Sequence, residues 1–392
     1  MTLPPEAFGA ALAALPGMGP VRLAALLAGG GSGGASRSPE AAWALVRAGA
    51  PGPLSAVWRA RARDYDVAAA WADLAAAGVN AWVWGRAGYP AALAADHQAP
   101  AVLFGRGDVS AMEGRRVAII GARQCTRYGR DVAYELGRDL AAGGVRVVSG
   151  LALGIDGAAH EGALAAADAP AAAGGPAAPP VAVVGSGLDV VYPRRHAHLW
   201  ERVAAAGVVL SEAPLGAAPE PWRFPARNRI IAALAELVIV VESRHQGGSR
   251  HTIEAAIERG VPVMAVPGPV RSALSDLPNA LLTEGCHPVR DALDVLVALG
   301  LSPGGPPGAA GERGGDGQAG AGRAGAPAES RPPPEAGDAP VLDAVGWRPA
   351  TFEQIVLACG RSPAAVGLAL AHLERDGWVA ARAGHWERVS VG

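Results

Sequence analysis

The 392-residue chain contains no lysine, so all 34 of its basic residues are arginine. Together with 54 glycines, 33 prolines and abundant alanine, that absence reads as the usage bias of a GC-rich genome. It limits what arginine enrichment means, because arginine must also do lysine's surface work. Cysteine is scarce too. Cys125, Cys286 and Cys359 lie far apart without CxxC spacing. This fits a reducing cytoplasm and argues against a disulfide framework or a zinc site. No metal or other cofactor is expected. Apolar stretches are broken well before the ~18 residues of a membrane span. Residues Met1–Leu15 lack the basic n-region of a secretory signal, so the expected location is the cytoplasm. Net charge is only -2. A nucleic-acid binder of this composition must gather its arginines on one face.

Single cores stop growing at about 250–300 residues, so two or three domains are expected. Residues 301–340 are Gly, Pro and Ala with almost no large apolar side chain. Such a stretch cannot offset its ordering entropy by burial and reads as a flexible linker. Asp168–Pro180 reads as a smaller loop insertion. Residues 1–95 form a small helical segment of helix-hairpin-helix or SAM-like type. In it, Leu15-Pro16-Gly17-Met18-Gly19-Pro20 leads into the apolar helix Val21–Leu27. Its glycines suit a phosphate contact at a helix start, but a plain αα-corner is the preferred reading.

Residues 341–392 have the layout of a winged helix. Thr351-Phe352-Glu353-Gln354 is a capping box, and Ser362-Pro363 opens a second helix with Ser as N-cap. Val366, Leu370 and Leu373 share one face of that helix, and Gly377 closes it. Trp378–Ala381 and Trp386–Val389, around Ala383-Gly384, form the wing. Duplex DNA and protein docking both stay open for this module.

Between them, residues 96–300 alternate strand-length apolar runs with helices. The runs are Val117–Ile120, Val145–Val148, Val181–Val184, Val208–Leu210, Leu237–Val241 and Val263–Val266. They are β-branched and nearly continuous, as in strands covered on both faces. The expected fold is therefore α/β, a Rossmann-like, doubly wound and mainly parallel sheet with ligands at its carboxyl edge.

The unusual residues gather at that edge. Ile120-Gly121-Ala122-Arg123 ends the first strand, and Arg127 and Arg130 accompany the next helix start, an arrangement suited to phosphate. It matches neither the dinucleotide fingerprint nor a P-loop. The second strand ends in Ser149-Gly150, followed by Gly154, by Asp156 as an expected N-cap, and by His160 one turn on. With no third ligand nearby, a structural helix-start network is preferred over a metal or acid–base pair. Tyr192-Pro193 follows the third strand and Ser211-Glu212 the fourth.

Arg223-Phe224-Pro225-Ala226-Arg227-Asn228-Arg229 then opens an apolar helix. Its arginine forks match phosphate oxygens, and Phe224 offers a stacking face. An internal Arg–Glu network with Glu212 or Glu242 is the alternative for part of this set. Gly247-Gly248-Ser249-Arg250-His251-Thr252 resembles a phosphate nest.

These motifs, with Pro267-Gly268, resemble the DNA-processing protein A (DprA/Smf) family in order and spacing over about Gly88–Leu296. The resemblance implies a non-enzymatic single-stranded DNA-binding protein of natural transformation. Such a protein protects incoming DNA, loads the RecA recombinase, and dimerises through the Rossmann-like domain. It implies DNA contacts at Gly121 and Arg123, from Arg223 and Phe224 to Arg227, Asn228 and Arg229, and in the loop carrying Gly248, Ser249, Arg250 and Thr252. The strand-end pattern itself adds Arg127, Gly150, Gly154 and Tyr192 as candidate DNA contacts. Gly247–Thr252 departs from the usual Ser-Gly-Ser-Leu-x-Thr by adding Arg250. Leu277–Leu282 and Glu284-Gly285-Cys286 also depart from the family pattern.

Two further readings stand beside it. Gly247-Gly248 with Thr252 and Glu254 resembles the loop of nucleoside-monophosphate phosphoribohydrolases, but the spacing is one residue too long and the preceding proline is missing. A protein-docking scaffold acting through its winged helix is the third.

Overall fold

The Val- and Ile-rich runs at the centre of the chain form strands buried on both faces, and the sheet they build organises everything else. The structure is a computed structural model describing residues 2–28, 37–49, 55–169, 176–301, 334, 337–345, 350–382 and 385–389. It divides into two compact units, Met1–Pro307 and Gly308–Gly392.

The first unit holds a nine-stranded sheet: β1 (Val79–Val83), β2 (Val102–Gly107), β3 (Arg116–Ile120), β4 (Arg146–Ser149), β5 (Val181–Val184), β6 (Val208–Ser211), β7 (Leu237–Val240), β8 (Val263–Ala265) and β9 (His287–Pro288). Their order is β1-β2-β6-β5-β4-β3-β7-β8-β9. All pairs from β6 to β9 are parallel, while β1–β2 and β2–β6 are antiparallel. The chain winds outward from β3 to β6, then returns to place β7 against the other side of β3. The switch point of this doubly wound sheet therefore lies between the ends of β3 and β7.

Alternate residues feed two cores. Val117 and Ile119 join Val147, Leu237 and Ile239 on one face. Ala118 and Ile120 join Val148, Val183, Val238 and Val240 on the other. All six expected strands are present, each end within two residues of its expected position.

The structure changes the reading of residues 1–95. Val79–Val83 within them is a strand paired with Val102–Arg106. The helices before it, including Pro5–Ala13 and Pro39–Ala48, share one core with the sheet, in which Leu12, Trp43 and Val46 join Val102, Phe104 and Trp200. Short helices this rich in alanine bury too little among themselves to stand alone, so they close over the edge of the sheet.

The second unit has the winged-helix layout. It comprises the helix Ala339–Val345, β10 (Ala350–Thr351), the helices Phe352–Cys359 and Pro363–Arg375, β11 (Val379–Arg382) and β12 (His385–Arg388). The strand order is β10-β12-β11. Thr351 and Gln354 form the reciprocal capping box, and Ser362 caps the third helix through Ala365 N. Val366, Leu370 and Leu373 are buried. The first helix begins at Ala339, inside the expected linker. Residues 302–333 and 335–336 of that linker, 170–175 of the insertion, and Ala383-Gly384 of the wing lie outside the described residues. No single described helix is long and apolar enough to cross a membrane.

Two helices that pack against the sheet, Arg127–Ala142 and Ile155–Asp168, cross where both carry glycine. A Cβ on Gly137 would lie 2.2 Å from Ala159 O, and one on Gly162 would lie 2.0 Å from Tyr134 O. Backbone carbonyls cannot rotate away, so Gly162→Ala must push the helices apart. The expected cost is about 1–3 kcal/mol, read as a lower urea midpoint. An unchanged midpoint would contradict this close crossing.

Candidate nucleic-acid interface

The switch-point crevice is filled by the protein itself. Glu242, just past β7, is 2% exposed, and its carboxylate lies at the start of the helix Arg127–Ala142. It accepts hydrogen bonds from Thr126 N at 2.8 Å and from Thr126 Oγ1 at 2.6 Å. Thr126 in turn caps the helix by accepting from Gly129 N at 3.1 Å. A Cβ on Gly129 would stand 2.4 Å from the carboxylate, so glycine makes the room. Ala122 N also donates to Glu242 O at 2.6 Å. The helix start expected to hold phosphate is thus already occupied by a buried carboxyl group bonded to its N-cap residue, while Gly129 N is taken up by Thr126 itself.

Arg123 remains on the exposed side of this loop. Its guanidinium lies over the Phe224 ring, 4.8 Å from the centroid. Phe224 in turn leans on Tyr192, with centroids 5.6 Å apart and planes tilted by 43°. Tyr192 is 40% exposed. A cation and two aromatic faces therefore stand together above the strand ends. Arg127 turns instead to Asp131, 3.5 Å away.

Beneath them lies a buried polar layer. Leu151 takes the left-handed φ of 52° with its side chain fully buried. Its carbonyl faces His196 Nδ1 at 3.0 Å. Gly154 at φ 82° lets the Gly121–Arg123 loop pass so closely that a Cβ would meet Ala122 O at 2.3 Å.

Asp156 is not the N-cap expected from the sequence. Gly154 holds that position, and Asp156, on the first turn, reaches back to accept from Gly150 N at 3.1 Å. His160 is fully buried in the same layer, and that burial holds its imidazole neutral, with a pKa lowered to about 3. Asp156 thus serves the helix start through Gly150 N, while neither ring nitrogen of His160 has a hydrogen-bond partner among the described residues.

The arginines of the Phe–Arg–Asn run divide by burial. Arg227 is 6% exposed and donates to Gly150 O at 3.1 Å. Gly150 lies directly on its guanidinium, and a Cβ there would be 1.6 Å from Nη1. Burial lowers the Arg227 pKa to about 10 against the favourable charge of Asp156. Burial likewise pushes Asp156 up, opposed by Arg227 and backbone N–H groups. Arg229 pairs with Glu212 at 2.6 Å, with side chains 17% and 11% exposed. Glu212 is raised by burial, against the pull of Arg229. Arg223 lies over Trp222 at 4.5 Å and near Glu220 at 3.4 Å.

Asn228 Nδ2 donates to Gly248 O at 3.3 Å, tying this helix to the Gly247–Thr252 loop. Ser249 and Thr252 are buried in the first turn of the helix Ser249–Glu258. Arg250 is exposed and pairs with Glu254 at 3.0 Å. The edge thus brings together Gly121, Arg123, Gly150, Gly154, Tyr192, Phe224 and Arg227, while Arg127, Arg229 and Arg250 make ion pairs.

A model described as DNA recombination-mediator protein A matches residues 80–300, and one described as DprA winged helix domain matches residues 325–385. The chain belongs to the DNA recombination-mediator protein A family. Among its relatives, the DNA processing protein DprA of Bacillus subtilis is 35% identical over 212 residues, 54% of this chain and 68% of that one. The corresponding protein of Streptococcus pneumoniae is 39% identical over 208 residues, 53% of this chain and 70% of that one. The X-ray structure of DNA processing protein A from Streptococcus pneumoniae superposes with a TM-score of 0.54 at 34% identity, covering 63% of this chain and 82% of that one.

The family core begins inside β1, in agreement with a sheet that extends into the N-terminal segment. Within that core, sequence reasoning missed Glu242 as the crevice anion and did not single out Trp222 or His196. It also passed over the exposed Arg194-Arg195 turn directly after Tyr192-Pro193. The last was legible, since it follows the same strand end as Tyr192.

His160 gives a pH prediction. Its folded-state pKa near 3 lies below the ordinary 6.5. The unfolded chain therefore takes up the proton first, so the contribution is complete above pH 6.5 and is lost as pH falls toward 3. The slope from this group is at most about 1.4 kcal/mol per pH unit. The stability difference between wild type and His160→Leu, measured by urea unfolding, should shrink or reverse between pH 6.5 and pH 4. A pH-independent difference would contradict a buried neutral imidazole.

Proposed function

We propose that the chain binds single-stranded DNA along the carboxyl edge of its sheet, protects the incoming strand during DNA uptake, and passes it to the RecA recombinase. The observation that carries this is the Arg123–Phe224–Tyr192 stack on the solvent side of the strand ends. The exposed Tyr192 ring, backed by the half-buried Phe224, offers a face for an unpaired base, which a duplex keeps covered, and the adjacent guanidinium suits phosphate. Arg194 and Arg195, exposed directly after Tyr192-Pro193, extend the positive edge.

The remaining family positions serve the same interface from within. Arg227 positions Gly150, Asn228 positions Gly248, and Ser249 and Thr252 anchor the loop that carries Arg250. Gly121 and Gly154 let the two upper loops stack. The protein acts as a homodimer in the cytoplasm, and pairing two edges lengthens the track and raises effective concentration. The family's description as a recombination mediator supports the hand-over to RecA.

The protein binds and delivers rather than catalyses. Glu254, the carboxylate a base-cleaving reaction would use, is half exposed and paired with Arg250 at 3.0 Å and His251 at 3.7 Å.

Fluorescence anisotropy with labelled oligo-dT and a matched duplex across a salt series tests the reading. Tight, salt-sensitive binding to the single strand is expected, with weaker duplex binding. Arg123→Ala should lower the salt slope by about one. Phe224→Ala should cost about 1–3 kcal/mol of binding. Absence of single-strand binding at low salt, or equal binding to the duplex, would overturn the proposal. Failure to accelerate RecA filament assembly on the bound strand would remove the hand-over alone.

A further inference from the structure

A winged helix that reads duplex DNA inserts its third helix in the major groove, with donors and cations on the exposed face. Here that helix is Pro363–Arg375, and its exposed face carries Ala364, Ala365, Leu368 and Ala371. Leu368 is 61% exposed, and on the preceding helix Leu357 is 81% exposed.

Three described arginines around this helix have protein partners, although the Arg375 side chain is still 65% exposed. Arg361 donates to Gly337 O, and Arg375 pairs with Asp376 at 2.8 Å. Arg388, on the wing, donates to Leu342 O at 2.7 Å and pairs with Asp343 at 3.0 Å. Residues 341–392 balance five arginines (348, 361, 375, 382 and 388) against five carboxylates (343, 353, 374, 376 and 387), giving no net attraction for phosphate. Glu353 and Glu374 are exposed on the same two helices.

We infer that the exposed face of Pro363–Arg375 is a protein-docking surface for an amphipathic helix with an apolar face and basic flanks, and not a duplex-reading surface. Apolar anchors of the partner would pack on Leu368 between the small Ala365 and Ala371, which let a second helix approach closely. Its basic flanks would meet Glu353 and Glu374. A phosphate backbone laid on the same face would meet methyl groups and carboxylates instead. This inference does not depend on single-strand binding by the first unit.

The test uses the full chain and three labelled probes. They are a 30-base-pair duplex, a synthetic helix with leucines at heptad spacing and lysines elsewhere, and a scrambled peptide of the same composition. Wild type should bind the amphipathic helix at least about 10-fold more tightly than the scrambled peptide. Leu368→Glu and Ala371→Glu should each abolish that preference while leaving duplex binding within about twofold, since neither position is core. Weakened duplex binding in either variant would place the face on DNA and overturn the inference. Equal binding of the two peptides to wild type would overturn it as well.

Discussion

The carboxylate of Glu242 is the constraint on which the rest of the DNA-processing core depends. A doubly wound sheet opens a crevice where its strand order reverses, and a helix N-terminus points into it. Most ligands of such folds would bind there. In this chain a 2% exposed carboxylate fills the place and takes two hydrogen bonds from Thr126, while the Glu242 backbone carbonyl accepts Ala122 N. The Gly121–Thr126 loop is thereby tied to the end of β7 at three points. Arg123 has one direction left, outward over Phe224. With the crevice filled, Arg123 stands on the solvent side of the loop, at the rim of the sheet rather than on its axis.

Arg227 supports the second loop in the same way. Its guanidinium sits under Gly150 with Asp156 close enough to shift its titration, and His160 alongside stays neutral. The layer is only partly satisfied: Arg227 Nε and both ring nitrogens of His160 are buried without a hydrogen-bond partner among the described residues. Across the loop Asp156 favours the charge of Arg227 and Arg123 opposes it. Arg227 shapes the loop from beneath, while Arg123 stands in solvent.

How far the sequence could be read depended on whether a signal was local. The six central strands were legible because β-branched runs buried on both faces leave no other assignment. The caps at Thr351 and Ser362 were legible because capping is decided within four residues. β1 was missed although Val79, Ala81 and Val83 alternate with Asn80 and Trp82, since an edge strand after five alanine-rich helices looks like more of the same. The division near residue 95 failed for a non-local reason: whether Leu12 packs on its own module or on Trp200 is decided only when the chain closes. At the interface the place was legible and the roles were not. Gly150 looks like a glycine that lets a phosphate approach, yet it clears space for the guanidinium of Arg227, as Gly129 does for the carboxylate of Glu242. A sequence records that a Cβ is absent but not what occupies the room.

A chain without lysine sharpens the same point, because one residue type must serve as strut, ion-pair partner and ligand contact. Arginine suits the buried role, since its five donors can be spread over several carbonyls while the charge persists. Arg116 does this with the carbonyls of Met112, Gly114 and Leu234, and Arg227 with that of Gly150. Arg259 instead pairs with Asp96 at 2.7 Å in a nearly buried bridge. Each arginine engaged in this way is withdrawn from the surface. What remains for a polyanion is therefore not the count of arginines but the few whose neighbours leave them in water. In the first unit these include Arg123 and the Arg194-Arg195 turn at the carboxyl edge. In the second, Arg361, Arg375 and Arg388 are all engaged by carbonyls or carboxylates, and the exposed face of the third helix is left to alanine and leucine. The same residue type thus stands in solvent at the carboxyl edge of one unit and is engaged around the third helix of the other, and burial rather than abundance separates the two.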